Sequence, residues 1–433
     1  MSDKPKQIGL WTTTSLVIGN MIASGLFMLP ATLGIYGGIS LIGWVISGAG
    51  AICLALVYSW LSKLIPVATG GPYAYTREGM GKFAAFLVAW GYWISLWCTN
   101  AAIAVAFVSY LTAFIPALGS NPVLSVGTGL SAIWFLTWIN TKGIREAGIV
   151  QVITTILKIL PLLVITIGGL FYLNADHFIP FNVSSQSNLS AITSTTTLTL
   201  FAFLGLECAT IPSGNVKNAE KTVARATIIG TLITTFIYIA GTIAVMGLIP
   251  PSILHESQAP FADAAASIWG EEARYLVAGG AVISTFGALN GWILVQGQMP
   301  MAAARDNLFP RIFAKENKSG TPAMGLIISS VLVSVLMSMN FNNSLADTYT
   351  FALLLSTLTV LVPYLFSIIA YVLIDNKQSG IRWGKMGVAF VAFIYSMWAV
   401  IGSGEEIVYW GFILLMAGLP FYAWNQIKEK TLS

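Results

Sequence analysis

The sequence predicts an all-α, polytopic membrane protein with twelve transmembrane helices, and three observations carry that prediction. Hydrophobic residues make up 56% of the 433 and charged residues 9%, where a soluble domain carries about 25% charged; the mean hydropathy is +0.79. Apolar runs long enough to cross a hydrocarbon core of ~30 Å recur at 9–34, 39–62, 83–115, 122–140, 147–172, 191–213, 226–249, 272–303, 322–340, 347–374, 383–402 and 407–427. Threading them with both termini cytoplasmic puts nineteen of the 21 Lys and Arg on one side, leaving Arg274 at an outer helix end and Lys158 within a span, as the positive-inside rule requires. One transmembrane domain, 1–433, accounts for the chain. The net charge of +4 reflects this topology and gives no reason to expect a nucleic-acid partner.

The first span holds the feature that organises the rest. Its centre reads Val17-Ile18-Gly19-Asn20-Met21-Ile22-Ala23-Ser24-Gly25-Leu26-Phe27, two glycines around small and polar residues, and a helix there is expected to break. Unpaired backbone groups in hydrocarbon are tolerated only where they line a cavity or meet a ligand. The break therefore reads as a binding site. The segment before it, Met1 to Gln7, is short and basic without a cleavage motif, so the first span is expected to remain as a helix.

After the second span, Gly70-Gly71-Pro72-Tyr73-Ala74-Tyr75 signals a turn or short re-entrant segment. The third span offers Tyr92, Trp93 and Asn100, the eighth Trp292 and the tenth Ser356 as groups that bound a site or hydrogen-bond between helices. The fifth carries Lys158. The sixth is interrupted at Leu200-Phe201-Ala202-Phe203-Leu204-Gly205-Leu206-Glu207-Cys208-Ala209, a glycine and an acid at mid-membrane. Lys158 and Glu207 are the two charges expected deep inside spans, each costing ~2.5–3.5 kcal/mol on insertion scales. Function is the default reason for keeping them, with a buried ion pair as the structural alternative.

Two breaks at corresponding places in two runs of five helices point to inverted repeats around a midplane site. The repeats are expected at 9–172 and 191–374, with two peripheral or homodimer-contact helices at 383–427. Free N–H groups at Ala23, Ser24 and Gly25 suit a carboxylate; carbonyls of Met21, Ile22, Phe201 and Leu204 suit an ammonium group. Together they suit an α-amino acid. Cys53, Cys98 and Cys208 lie within spans without metal-ligand spacing, both histidines fall in outer loops, and neither an enzyme, a metal nor a cofactor is implied. A channel is the weaker rival, because channels do not need paired substrate-sized breaks.

Over nearly its whole length the chain resembles the amino acid, polyamine and organocation transporter superfamily, most closely its arginine/agmatine and basic amino acid/polyamine antiporter group. The resemblance is carried by Gly19-Asn20-Met21-Ile22-Ala23-Ser24-Gly25-Leu26-Phe27-Met28-Leu29-Pro30, Gly70-Gly71-Pro72-Tyr73-Ala74-Tyr75, Phe203-Leu204-Gly205-Leu206-Glu207, Val216-Lys217-Asn218, Asp306-Asn307-Leu308-Phe309-Pro310 and Leu361-Val362-Pro363-Tyr364. It implies a carboxylate at Ala23, Ser24 and Gly25 and an α-amino group on carbonyls of Met21, Ile22, Phe201 and Leu204. Trp292 would stack on the substrate side chain, and Asn100 and Ser356 would reach its distal end. Glu207, Tyr92 and Tyr364 would form a deeper gate, with Tyr73 in cytoplasmic gating and pH response. Three departures stand out: Phe201 replaces a gating tryptophan, Gln296 replaces a small residue, and Lys158 is absent from the arginine/agmatine group. A lysine there resembles the sodium-independent permeases, where its ammonium takes the place of sodium.

The expectation is a sodium-independent secondary amino acid transporter of a bacterial inner membrane. Arginine/agmatine-type exchange of an amino acid for its decarboxylated amine is the sharpest version. A proton-coupled permease of broader or neutral specificity is the alternative.

Overall fold

A computed structural model describes residues 9–65, 71–142, 162–210, 216–339, 344–380 and 382–432. Lys158, with most of the expected fifth span, lies outside the described residues. Every regular element among those described is helical. Ten helices are long and apolar enough to cross a membrane, and two shorter apolar ones, Leu162–Tyr172 and Ala323–Met339, fall within the expected fifth and ninth spans.

The centre of the molecule is the Lys82–Leu111 helix. It is apolar on all sides, which buries it in other protein rather than leaving one stripe for the core. The helices Glu271–Arg305 and Leu345–Ser379 flank it. Small residues let neighbours approach closely, as membrane packing without a hydrophobic driving force requires: the Ser47 hydroxyl donates to the Thr196 carbonyl at 2.8 Å, linking the helix Ser40–Leu64 to Asn188–Leu200. The two C-terminal spans, Trp383–Gly402 and Glu405–Ile427, are the least buried, at 28% and 17% of their apolar windows. They form the rim.

Both expected breaks are present. The first span is helical over Leu10–Met21 and again over Ser24–Gly34, with Ile22 and Ala23 at ψ 80° and −124° between them. The second runs as a helix over Asn188–Leu200, tightens to a 3-10 turn at Phe201–Phe203, and opens at Leu204 (ψ 134°) and Gly205 (φ +102°). The segment read as a turn or short re-entrant segment after the second span turns at Gly71 and continues as a short helix, Pro72–Met80. Gly71 reverses the chain at φ +64° and Pro72 occupies the first helical turn, where its missing N–H costs nothing.

Candidate functional site

The two breaks interlock. A Cβ on Gly25 would stand 3.0 Å from the Cβ and 3.1 Å from the Cα of Ala202, and one on Gly205 would stand 3.2 Å from the Cβ of Asn20. Each glycine therefore seats the other segment's unwound backbone. All of the described candidate side chains are at most 5% exposed, so the site is closed to solvent.

The half-helix Ser24–Gly34 begins at mid-membrane with no side chain capping it. Its first N–H groups have no intrahelical partner and sit at the positive end of the dipole, which gives Ser24 and Gly25 the character of an anion seat. The Ser24 hydroxyl is buried, with the buried Tyr349 hydroxyl beside it. The Tyr349 ring meets Phe201 edge-on, with centroids 6.2 Å apart.

The half-helix Leu10–Met21 presents the opposite end. Trp292 Nε1 donates to the Asn20 carbonyl at 3.3 Å, which fixes the indole against the break. Tyr238 contacts both the Met21 carbonyl and, at 2.9 Å, the Ala202 carbonyl. With one proton it donates to one of them at a time. Met21, expected to receive a substrate amine, thus shares one protein donor with Ala202. Leu204 donates its N–H to the Phe201 carbonyl at 3.1 Å.

One turn beyond Trp292, Gln296 joins a relay across four helices. Asn100 Nδ2 donates to Gln296 Oε1 at 2.6 Å, Gln296 Nε2 to Ser330 Oγ at 3.0 Å, and Ser330 and Thr137 share a 2.7 Å contact. Thr137 donates to the Ile133 carbonyl at 2.7 Å. That carbonyl can only accept, so the direction of the whole relay follows: Ser330 must donate to Thr137 and accept from Gln296, whose oxygen then takes the Asn100 amine. Asn100 Oδ1 is left as a buried acceptor with no partner. Ser356 belongs to a different set of bonds: its hydroxyl pairs with Thr99 at 2.6 Å and donates to the Ser95 carbonyl at 3.0 Å, committing it to the neighbouring helix.

Below the breaks, Glu207 is fully buried and clamped on both oxygens. Tyr92 donates to Oε1 at 2.8 Å and Tyr364 to Oε2 at 3.0 Å. Tyr58 packs on Tyr364, with centroids 6.0 Å apart, and donates to Ser367 at 3.2 Å. Toward the Lys/Arg-rich face, Tyr73 points at Asp306, which pairs with Arg77 at 3.2 Å. Burial, then the Asp306 charge, hold the Tyr73 phenol above its usual range, Arg77 opposing them. Trp93, next to Tyr92, does not reach this cluster. Successive residues on a helix point about 100° apart, and its indole donates to Ser329 at 2.8 Å while its ring packs on Phe309 and Phe313.

On the opposite side of the breaks, Phe27 meets Tyr110 and Phe261 edge-on at 5.6 and 5.9 Å, and Tyr110 donates to the Phe27 carbonyl at 2.8 Å. Tyr110, Tyr238 and Tyr349 were not singled out in the sequence, since tyrosines in spans carry no local sign that separates them from packing residues, and Phe261, in the short helix Pro260–Trp269, lies in what the sequence reads as an outer loop. No group of three or more His, Cys, Asp and Glu is placed to hold a metal among the described residues.

The profile of the family described as amino acid permease matches residues 8–423. The chain belongs to the amino acid permease family, within the amino acid, polyamine and organocation superfamily. This permease is 32% identical to a Bacillus subtilis (strain 168) protein with a proposed arginine/ornithine antiporter activity, over 99% of each chain. It is 31% identical to the cadaverine/lysine antiporter of Escherichia coli (strain K12), over 96% of this chain and 95% of that one. It is equally similar to the putrescine transporter PotE of the same strain, over 97% and 96%. The permease's homologues are thus amino acid and polyamine antiporters, transporters rather than enzymes, and with its many apolar helices it is a multi-pass protein of a bacterial inner membrane.

Proposed function

We propose that this permease is a sodium-independent exchanger of cationic amino acids and their decarboxylated amines, working by alternating access around the interlocked breaks. Ala23, Ser24 and Gly25 take the carboxylate; carbonyls of Ile22, Phe201 and Leu204, with Met21 once Tyr238 releases it, take the α-amino group. Trp292 covers the side chain and Asn100 meets its distal end. Glu207 with Tyr92 and Tyr364, then Tyr73, close the path toward the cytoplasm, where both termini lie. Residues 9–172 and 191–374 are the two inverted repeats that rock about the site, and the rim helices supply a homodimer contact.

The observation that carries the substrate class is the orphaned Asn100 Oδ1. A buried acceptor without a donor costs about 1–3 kcal/mol, and a cationic substrate end, which only donates, removes that cost. The relatives' arginine, ornithine, lysine, cadaverine and putrescine all end in such a group. A second reading, proton-coupled uptake, is favoured by Lys158 in the sequence: a tethered ammonium that substitutes for sodium also supplies a titratable proton. Calorimetry on purified protein tests the substrate class. Lysine, ornithine and arginine should bind, and citrulline and norleucine at least 10-fold more weakly; tighter binding of the neutral pair would overturn it.

A further inference from the structure

The half-helix Ser24–Gly34, which carries the anion seat, is also held on the side of the breaks away from the Lys/Arg-rich face. Phe27 stands about one turn beyond Ser24, ~4.5 Å along the axis, and both its ring and its carbonyl meet other elements. The ring lies edge-on to Tyr110 and Phe261, and all three residues are fully buried. Pro30 lies inside the same half-helix and has no N–H to offer the Leu26 carbonyl, so the turn around Phe27 has one helical bond fewer to hold it.

The Tyr110 hydroxyl joins the three. It donates to the Phe27 carbonyl at 2.8 Å, and its oxygen accepts the Phe261 N–H at 3.2 Å. A carbonyl only accepts and a backbone N–H only donates, so both directions are fixed and the one hydroxyl proton is committed to the half-helix. Phe261 is the second residue of the helix Pro260–Trp269, where an N–H has no intrahelical acceptor. Tyr110 supplies one.

Tyr110 and Phe261 belong to one fastened body. Ser109 donates to the Gln258 carbonyl at 2.7 Å, and Asp263 pairs with Arg274 at 3.1 Å, which ties the short helix and its approach to Lys82–Leu111 and to Glu271–Arg305. The half-helix abuts this connection at its far end too, where a Cβ on Gly34 would stand 3.0 Å from the His255 backbone nitrogen.

We propose that Tyr110 is a positioning residue for closure on the external side. It touches no substrate, and it holds the half-helix, with its anion seat, in the closed arrangement through the Phe27 carbonyl. The inference rests on the alternating access proposed above: opening on this side parts Phe27 from Tyr110, while Phe261 stays bonded to the Tyr110 oxygen and keeps the hydroxyl in place for the next closure.

The test is hydrogen–deuterium exchange, read by mass spectrometry on the full chain in lipid nanodiscs without added substrate, so that it does not depend on which amino acid is carried. Tyr110→Phe keeps the ring against Phe27 and Phe261 and removes the hydroxyl. Exchange over 24–34 should rise about 5-fold, the factor that one net hydrogen bond supplies. Exchange over 203–210, around Glu207, should not rise, because a population shifted toward external opening leaves the other side shut. Tyr395→Phe, which removes a buried hydroxyl from the rim helix Trp383–Gly402, should match wild type in both segments. Unchanged exchange over 24–34 in Tyr110→Phe, or an equal rise in both segments, would overturn the proposal. Adding lysine, ornithine or arginine to the wild type tests the substrate reading separately: each should protect 24–34, and protection by none of them would overturn that reading while the Tyr110 comparison stands.

Discussion

At the scale of single residues, the direction of a hydrogen bond decides more than its length. Reversing the relay from Asn100 to Thr137 would turn the Asn100 oxygen toward Gln296 and forfeit the Thr137–Ile133 bond, worth about 1 kcal/mol. That is the size of the orientational preference, about 5-fold. Thr137→Val keeps the shape and removes the anchor, so binding selectivity for lysine over norleucine should fall by about 5-fold while the affinity for norleucine stays. Gln296→Met should lower it at least as far. Equal losses for both ligands in calorimetry would mean that Thr137 and Gln296 serve packing alone. Tyr73 is governed by its surroundings in another way. Its phenol is held above its usual range, so it stays neutral at every pH the cell meets and works as an uncharged neighbour of Asp306; Tyr73→Phe should alter the rate of exchange but not the midpoint of its pH profile between pH 5 and 8.

At the scale of the helices, the breaks are where sequence and structure agree most closely, for a physical reason. Glycine and serine inside apolar runs are visible locally, and Gly25 and Gly205 each mark a place where an added Cβ would press on the facing segment, at 3.0 and 3.2 Å from its nearest atom. Gly25→Val should abolish amino acid binding, because the Ala202 Cα at 3.1 Å belongs to backbone that cannot swing aside. Combining the milder Gly25→Ala with Ala202→Gly should recover part of the affinity lost in Gly25→Ala alone. What the sequence did not disclose are partners that depend on how helices meet. Tyr238 bridging two breaks and Tyr349 beside Ser24 sit in runs of ordinary span residues, and Ser356 looks like any mid-span hydroxyl until Ser95 and Thr99 are seen next to it. The Pro72–Met80 helix was obscured by the glycines that introduce it.

At the scale of the whole molecule, two contacts of unequal strength stand in series between the breaks and the Lys/Arg-rich face. Buried Glu207 accepts a hydrogen bond from each of two tyrosines, each worth about 0.5–1.5 kcal/mol. The Arg77–Asp306 pair is about half exposed on one side and a third on the other, in the range where an ion pair contributes ~0–1 kcal/mol. On the proposed gating, the outermost latch is then expected to open more easily and the inner clamp to limit release. Asp306→Asn should raise accessibility of a cysteine placed at Tyr75 to a cytoplasmic-side thiol reagent by no more than about 5-fold, and Tyr364→Phe should raise it more. The reverse order would place the main barrier at the surface.

The central claim is exchange of cationic substrates around the interlocked breaks without sodium, and counterflow in proteoliposomes tests it most directly. With choline replacing sodium throughout, labelled lysine should enter vesicles loaded with lysine or cadaverine at least 10-fold faster than empty ones, and Gly25→Val should remove the difference. Uptake that requires sodium, or that proceeds equally into empty vesicles, would contradict the account.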